Sequence, residues 1–262
     1  DDLDGAMARA ERGVACGAEG MALGELRSLQ ADAHRWRGEF AEMRARVEGA
    51  AENLETGSAR WCKAMGNLAV ACRATADYEG LVAVAHELSA LEPPPVYQPA
   101  HAEAAARTAQ QLFIIGWARP ADELLRRVEP LTSVLENTHP AVVGWMENAR
   151  AFGALYLGDA GTYLELSRRS ARRFERAGDV RSGANARVHL GFAFLQVGAY
   201  PEAEVALREA LVSARRLGLF NVVATAMNNL GLALAHMGRL EEATAVEIEA
   251  IRLAASQHDR RL

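Results

Sequence analysis

The chain reads as an all-α solenoid, a right-handed superhelix of antiparallel helix pairs, and three observations carry that reading. The first is repetition: Gly198-Ala199-Tyr200-Pro201-Glu202-Ala203 and Gly238-Arg239-Leu240-Glu241-Glu242-Ala243 share one pattern forty residues apart. The second is context. Each copy follows an apolar segment bearing a Leu-Gly pair (Leu190-Gly191, Leu230-Gly231) and precedes a second segment, which after the first copy ends near Gly218, so each is one helix-turn-helix unit. The third is composition: half of the 262 residues are hydrophobic but only 6% are aromatic, helix formers dominate, and glycine and proline fall where helices should end. No strand is expected. A unit this small cannot bury its own apolar face, so the units stack into one continuous spine, a single domain over residues 1–262.

The elements follow in order. Residues 2–18 read as a leading half repeat, with Asp2-Leu3-Asp4-Gly5-Ala6 as the tail of a turn. Six full repeats are expected at about 20–56, 58–92, 100–137, 140–177, 180–217 and 220–258. Their turns are Gly38-Glu39-Phe40-Ala41-Glu42-Met43, Ala76-Asp77-Tyr78-Glu79-Gly80-Leu81, Gly116-Trp117-Ala118-Arg119-Pro120-Ala121, a fourth near Gly161-Thr162-Tyr163-Leu164-Glu165-Leu166 with its register open by one residue, and the two copies above. Glycine turns the chain where a Cβ would strain it, and the small residue five later permits close helix approach. Ala203 is such a contact and Glu202 faces solvent. Pro120 and Pro201 suit a first helical turn, and Gly178 and Gly218 suit C-terminal caps. The Pro-rich stretch Glu92 to Pro99 is a semi-rigid spacer or a partner-docking segment.

The turn Gly-x-Tyr-x-x-Ala, preceded by Leu-Gly and an aromatic such as Phe194, resembles the tetratricopeptide repeat. The spacing also overlaps the HEAT range, and the turn motif decides between them. The longer period, about 40 residues, resembles arrays in large bacterial signalling proteins: ATPase-linked regulators, serine/threonine kinases and cyclases. The resemblance implies a scaffold without enzymatic activity.

Composition excludes several classes. The net charge of −5 opposes nucleic-acid and anionic-membrane binding. Lys63 is the sole lysine, an arginine bias expected of a GC-rich bacterial genome. Cys16, Cys62 and Cys72 lack paired spacing and read as small buried thiols in a reducing, cytoplasmic setting. No apolar run is long enough to span a membrane. His34, His86, His101, His139, His189, His236 and His258 are scattered, so no metal site or cofactor is expected. Neither a P-loop nor a Gly-x-Ser-x-Gly elbow occurs. The basic run Arg168, Arg169, Arg172, Arg173, Arg176 and Arg181 reads as a solvated helix face, or else a dock for an acidic partner, with Leu164, Leu166, Ala171 and Phe174 left for packing.

In tetratricopeptide arrays the first helix of each repeat lines the concave face. Carried over position by position, the resemblance places Arg35, Trp36, Lys63, Asn67, Arg73, Arg107, Gln110, Phe113, Glu147, Arg150, Asn185, His189, Phe192, Gln196, Asn228, Asn229 and His236 there. Amides interleaved with aromatics suit an extended peptide, because amides pair with backbone groups while aromatics bury side chains. Each of these residues is alternatively a merely exposed or half-packed helix position. Asn228-Asn229 is the strongest pair, since two amides in an apolar helix are costly to bury unpaired. The lysine-and-asparagine pattern of chaperone-tail clamps is not reproduced.

The expected function is therefore a protein-interaction or ligand-sensing scaffold, part of a larger regulatory protein, with a protein or peptide partner in the groove. The rivals are a structural spacer that self-associates end to end, and, last, an enzyme. Apolar stripes on the final helix, Leu240, Ala243, Val246, Ala250 and Leu253 beside Ile248, Ile251 and Ala255, favour a further repeat or end-to-end contact.

Overall fold

The computed structural model describes residues 2–256; Asp1, His258 and the close of the sixth repeat lie outside the described residues. These hold fourteen α-helices and no strand. Helix α1 (Leu3–Ala15) precedes six antiparallel pairs: α2 (Gly20–Arg37) with α3 (Phe40–Ala51), α4 (Ala59–Ala74) with α5 (Tyr78–Ala90), and α6 (Gln98–Ile114) with α7 (Ala118–Val128), which the one-turn α8 (Thr132–Leu135) follows. Then come α9 (Pro140–Tyr156) with α10 (Ala160–Ala177), α11 (Val180–Gln196) with α12 (Tyr200–Leu217), and α13 (Phe220–His236) with α14 (Leu240–Ser256). The pairs stack into a right-handed superhelix.

Five of the six intra-repeat turns place a glycine in the left-handed region. The second places Ala76 there, at φ 58°. An alanine Cβ strains that conformation, yet the next residue compensates, because Asp77 accepts the Gly80 amide at 2.9 Å and caps α5. The fourth turn corrects the sequence reading. It lies at Gly158, φ 76°, three residues before Gly161, and Asp159 caps α10 by accepting the Thr162 amide at 2.9 Å. Gly161 is already helical. In this register Tyr163 takes the close-contact place that Ala203 and Ala243 fill elsewhere, and it is fully buried.

The Leu-Gly pairs have a packing cause. A Cβ on Gly191 would sit 2.5 Å from Leu207 Cγ, so only glycine lets α11 meet α12 at this separation. Ala203, Ala210 and Ala214 are buried on the same seam, whereas Glu202 is exposed. The Pro-rich segment forms a single 3-10 turn, Pro95–Tyr97, leading directly into α6. Cys62 and Cys72 are buried free thiols, and burial pushes both up to about 11. Cys16 departs from expectation: it is exposed, because it caps the end of α1 rather than packing under a following helix.

The superhelix turns so tightly that α13 reaches α2. Trp36 on α2 is buried in the same apolar cluster as Val188, Val222 and Met227. The first helices of the repeats therefore surround a central space rather than line an open trough. On α14, Ala243 and Ala250 are buried while Ile248, Ile251 and Leu240 are exposed.

Candidate functional site: the central cavity

A cavity of about 500 Å³ lies at the centre of the ring. Each repeat's first helix contributes to its wall: Arg35 and Trp36 from α2, Val70 and Arg73 from α4, Arg107, Gln110, Gln111 and Ile114 from α6, and Trp145 and Phe152 from α9. Asn185, His189 and Phe192 come from α11, and Asn221, Ala224, Thr225, Asn228 and Asn229 from α13. Phe40 and Tyr163, from second helices, complete it.

The wall is braced by a buried polar chain. Arg107, 2% exposed, donates from Nη2 to Asn67 Oδ1 at 2.5 Å. Fully buried Asn67 donates in turn to Asp32 Oδ1 at 2.7 Å, and Asp32 also pairs with Lys63. Burial pushes the Asp32 carboxyl up, but Lys63, Arg35 and Asn67 together hold it below its ordinary value. Further along the same two helices, α4 and α6, Arg73 donates to Gln111 Oε1 at 2.6 Å. Two cations approach the Trp145 ring, the Arg35 and Arg107 guanidinium carbons lying 5.7 and 5.4 Å from its centre. Arg35 also lies 4.2 Å over Trp36. Burial and the neighbouring Arg107 push Arg35 down to about 9, which leaves it charged at neutral pH.

The opposite wall is aromatic and neutral. His189 Nδ1 lies 3.0 Å from Asn148 Oδ1 and its ring packs edge-on to Phe152 at 5.1 Å. Burial pushes it down to about 4, so it is uncharged at neutral pH, and with Nδ1–H donated to the amide its Nε2 is left as an acceptor. Tyr163 donates to the His189 carbonyl at 3.4 Å and meets Phe192 edge-on at 6.2 Å. Its hydroxyl is pushed upward by burial.

Of the residues assigned to a concave face from sequence, Arg35, Trp36, Arg73, Arg107, Gln110, Asn185, His189, Phe192, Asn228 and Asn229 come together here. The others do not. Asn67 lies behind the wall in the polar chain, and Phe113 is packed under α9 against Gly153. Arg150 pairs with Glu129 at 2.8 Å, Gln196 is exposed at the end of α11, and His236 stacks on Tyr200 at 4.6 Å beside the last turn. Among the described residues Lys63 pairs only with Asp32. Glu147 points the other way, 1% exposed, and accepts from Arg169 Nη2 at 2.7 Å. The basic run of α10 is thus partly structural rather than a free face, since Arg169 and Arg173 close over Glu147 and Glu136. Sequence reasoning missed Trp145, Phe152 and Tyr163, whose aromatic character matches core packing. It also missed Asn221 and Thr225, although with Asn228 they form a polar stripe at i, i+4 and i+7 on an otherwise apolar helix, a legible signal.

Among the described residues no group of three or more His, Cys, Asp or Glu is placed to hold a metal ion, and no helix is long and apolar enough to cross a membrane.

Residues 223–255 match the sequence model of a family described as Tetratricopeptide repeat. No curated protein matches the chain. Among solved structures, BtubC (BKLC) from P. vanneervenii superposes with a TM-score of 0.54 at 16% identity, covering 100% of this chain and 94% of its own. A Rap protein complexed with Competence and Sporulation Factor superposes with a TM-score of 0.65 at 14% identity, covering 98% of this chain and 74% of its own. At such identities these likenesses concern the fold alone. Together with the matched segment and the turn geometry, they make this chain a tetratricopeptide-type repeat array.

Proposed function

We propose that the chain is a non-enzymatic binding scaffold that takes a partner segment, a short stretch of extended peptide, into the central cavity. The observation that supports this most is the composition of one continuous wall: amides at Gln110, Asn185, Asn228 and Asn229 alternate with aromatic rings at Trp36, Trp145, Phe152 and Phe192. Amides can pair with peptide N–H and C=O groups while rings bury side chains. A volume of about 500 Å³ suits a ligand of small-molecule size or a few residues. That all six repeats contribute favours a specific site over a spacer, which needs no convergent polar groups. The Rap protein, of similar fold, forms a complex with Competence and Sporulation Factor, which supports reading the array as a ligand-responsive module of a bacterial regulatory system.

The test is selection from a library of N-acetylated hexapeptides, followed by affinity measurement on the Phe192→Ala/Asn229→Ala double variant. Binding should fall at least tenfold while the helical circular dichroism is retained. Undiminished binding to the folded double variant would place the partner elsewhere.

A further inference from the structure

We infer that the cavity is an oxyanion site in which a carboxylate of the ligand seats between Arg35 and Arg107 against the Trp145 ring. This rests on the reading of the cavity as a binding site and names the chemistry it selects. The charge of the wall is the first observation. Arg35, Arg73 and Arg107 line it and no aspartate or glutamate does, in a chain whose net charge is −5. Gathering cations in a partly desolvated space is unfavourable unless an anion joins them. The nearby carboxylates are already engaged: Asp32 by Lys63 and Asn67, Asp179 by the Ser182 amide, and Glu103 by Arg107 at 3.6 Å.

The second observation is the donors left over. Arg107 is 2% exposed, and its Nε is buried without an acceptor. Its Nη2 is committed to Asn67. Among the described residues the Arg35 side chain has neither an ion pair nor a hydrogen bond and is held by stacking on Trp36 and Trp145. Stacking fixes the plane of the guanidinium and leaves its fork of N–H groups at the edge, the arrangement that grips a planar two-oxygen group. Both guanidiniums rest against one ring, at 5.7 and 5.4 Å from its centre. A fork plus one further N–H matches the lone pairs of a carboxylate. A phosphate dianion, with more oxygens and more charge, would leave acceptors unpaired here.

Two matched pools of N-acetylated tetrapeptides provide the test, one carrying carboxyl groups and one in which every carboxyl, including the C-terminal one, is an amide. Binding is measured by calorimetry, with inorganic phosphate as competitor. The carboxyl peptides should bind at least tenfold tighter than their amide twins. Arg35→Gln should erase that preference, Arg35→Lys should restore part of it, and millimolar phosphate should not compete. Arg35 has no ion pair to lose, so both variants should fold, as circular dichroism will show. Equal binding of the two pools, or a preference that survives Arg35→Gln, overturns the oxyanion assignment while leaving peptide binding in the cavity standing. Competition by phosphate as strong as that by a carboxyl peptide overturns the choice of carboxylate. If neither pool binds, the inference also falls, whereas the scaffold reading is judged separately by the Phe192→Ala/Asn229→Ala comparison.

Discussion

Asn67→Ala removes one side chain from the brace behind the cavity, and the structure sets its cost. Asn67 is fully buried, donates to Asp32 at 2.7 Å and accepts from Arg107 at 2.5 Å. Each bond involves a charged partner, a class that contributes about 1.5–3 kcal/mol. Asp32 keeps Lys63, so its loss belongs at the lower end. Arg107 keeps only the Trp145 ring and, at 3.6 Å, Glu103 and is almost wholly out of water, so its loss belongs at the upper end. A water molecule entering the vacated space recovers part, and the expected destabilisation is about 3 kcal/mol. Urea denaturation followed by circular dichroism measures it, against exposed Asn228→Ala as control, which should change stability by less than about 0.5 kcal/mol. A cost below about 1 kcal/mol for Asn67→Ala would refute the claim that this chain of contacts holds the wall.

Four other substitutions probe the repeat geometry and the titrating wall. Ala76→Gly relieves a left-handed alanine, worth roughly 1–2 kcal/mol, at an added chain-entropy cost of about 0.5–1 kcal/mol, so stability measured by urea unfolding should rise by a net of about 0.5–1 kcal/mol. Ala203→Leu overpacks the seam between α11 and α12 and should cost about 1–3 kcal/mol, whereas Glu202→Ala should be near neutral; equal midpoints would show the register to be wrong. His189 has a folded-state pKa of about 4 against an ordinary 6.5. Between these values the unfolded chain takes up a proton that the folded chain refuses, so stability falls as pH drops from 6.5 toward 4. His101, also depressed, chiefly by burial, acts in the same direction. Thermal unfolding of His189→Gln across that range should show a shallower pH dependence than the unmodified protein.

The repeats are legible in the sequence because their turns carry a local cost that only a few residues can bear. Gly198 and Gly238 mark left-handed turns, and Ala203 and Ala243 mark close helix contacts, so each is constrained by neighbours within its own unit. The fourth register is obscured for a similar reason: Gly161 and Thr162-Tyr163 imitate the motif, while Tyr163 fills a place where a small residue is expected. Half of the cavity residues can be assigned because groove positions recur with the repeat. Closure of the ring cannot be read, since contact between α2 and α13 depends on twist summed over every intervening repeat. Nor can the division between wall and brace: Asn67 and Arg107 occupy equivalent faces of neighbouring helices, yet only Arg107 lines the cavity. Trp145 looks like core in the sequence because it is core on one side, 5.2 Å from Phe174, and cavity wall on the other.

Ligand entry into the central cavity is most directly tested by fluorine NMR of protein labelled with 5-fluorotryptophan, with resonances assigned by single Trp→Phe variants. Trp36 and Trp145 line the cavity, whereas Trp61 is buried elsewhere and Trp117 lies at an outer turn, edge-on to Tyr78. On titration with a hexapeptide selected from the library, the Trp36 and Trp145 resonances should shift together and saturably, and those of Trp61 and Trp117 should hold still. Saturable binding that moves the Trp117 resonance and leaves Trp36 and Trp145 unchanged would contradict a partner seated in the cavity.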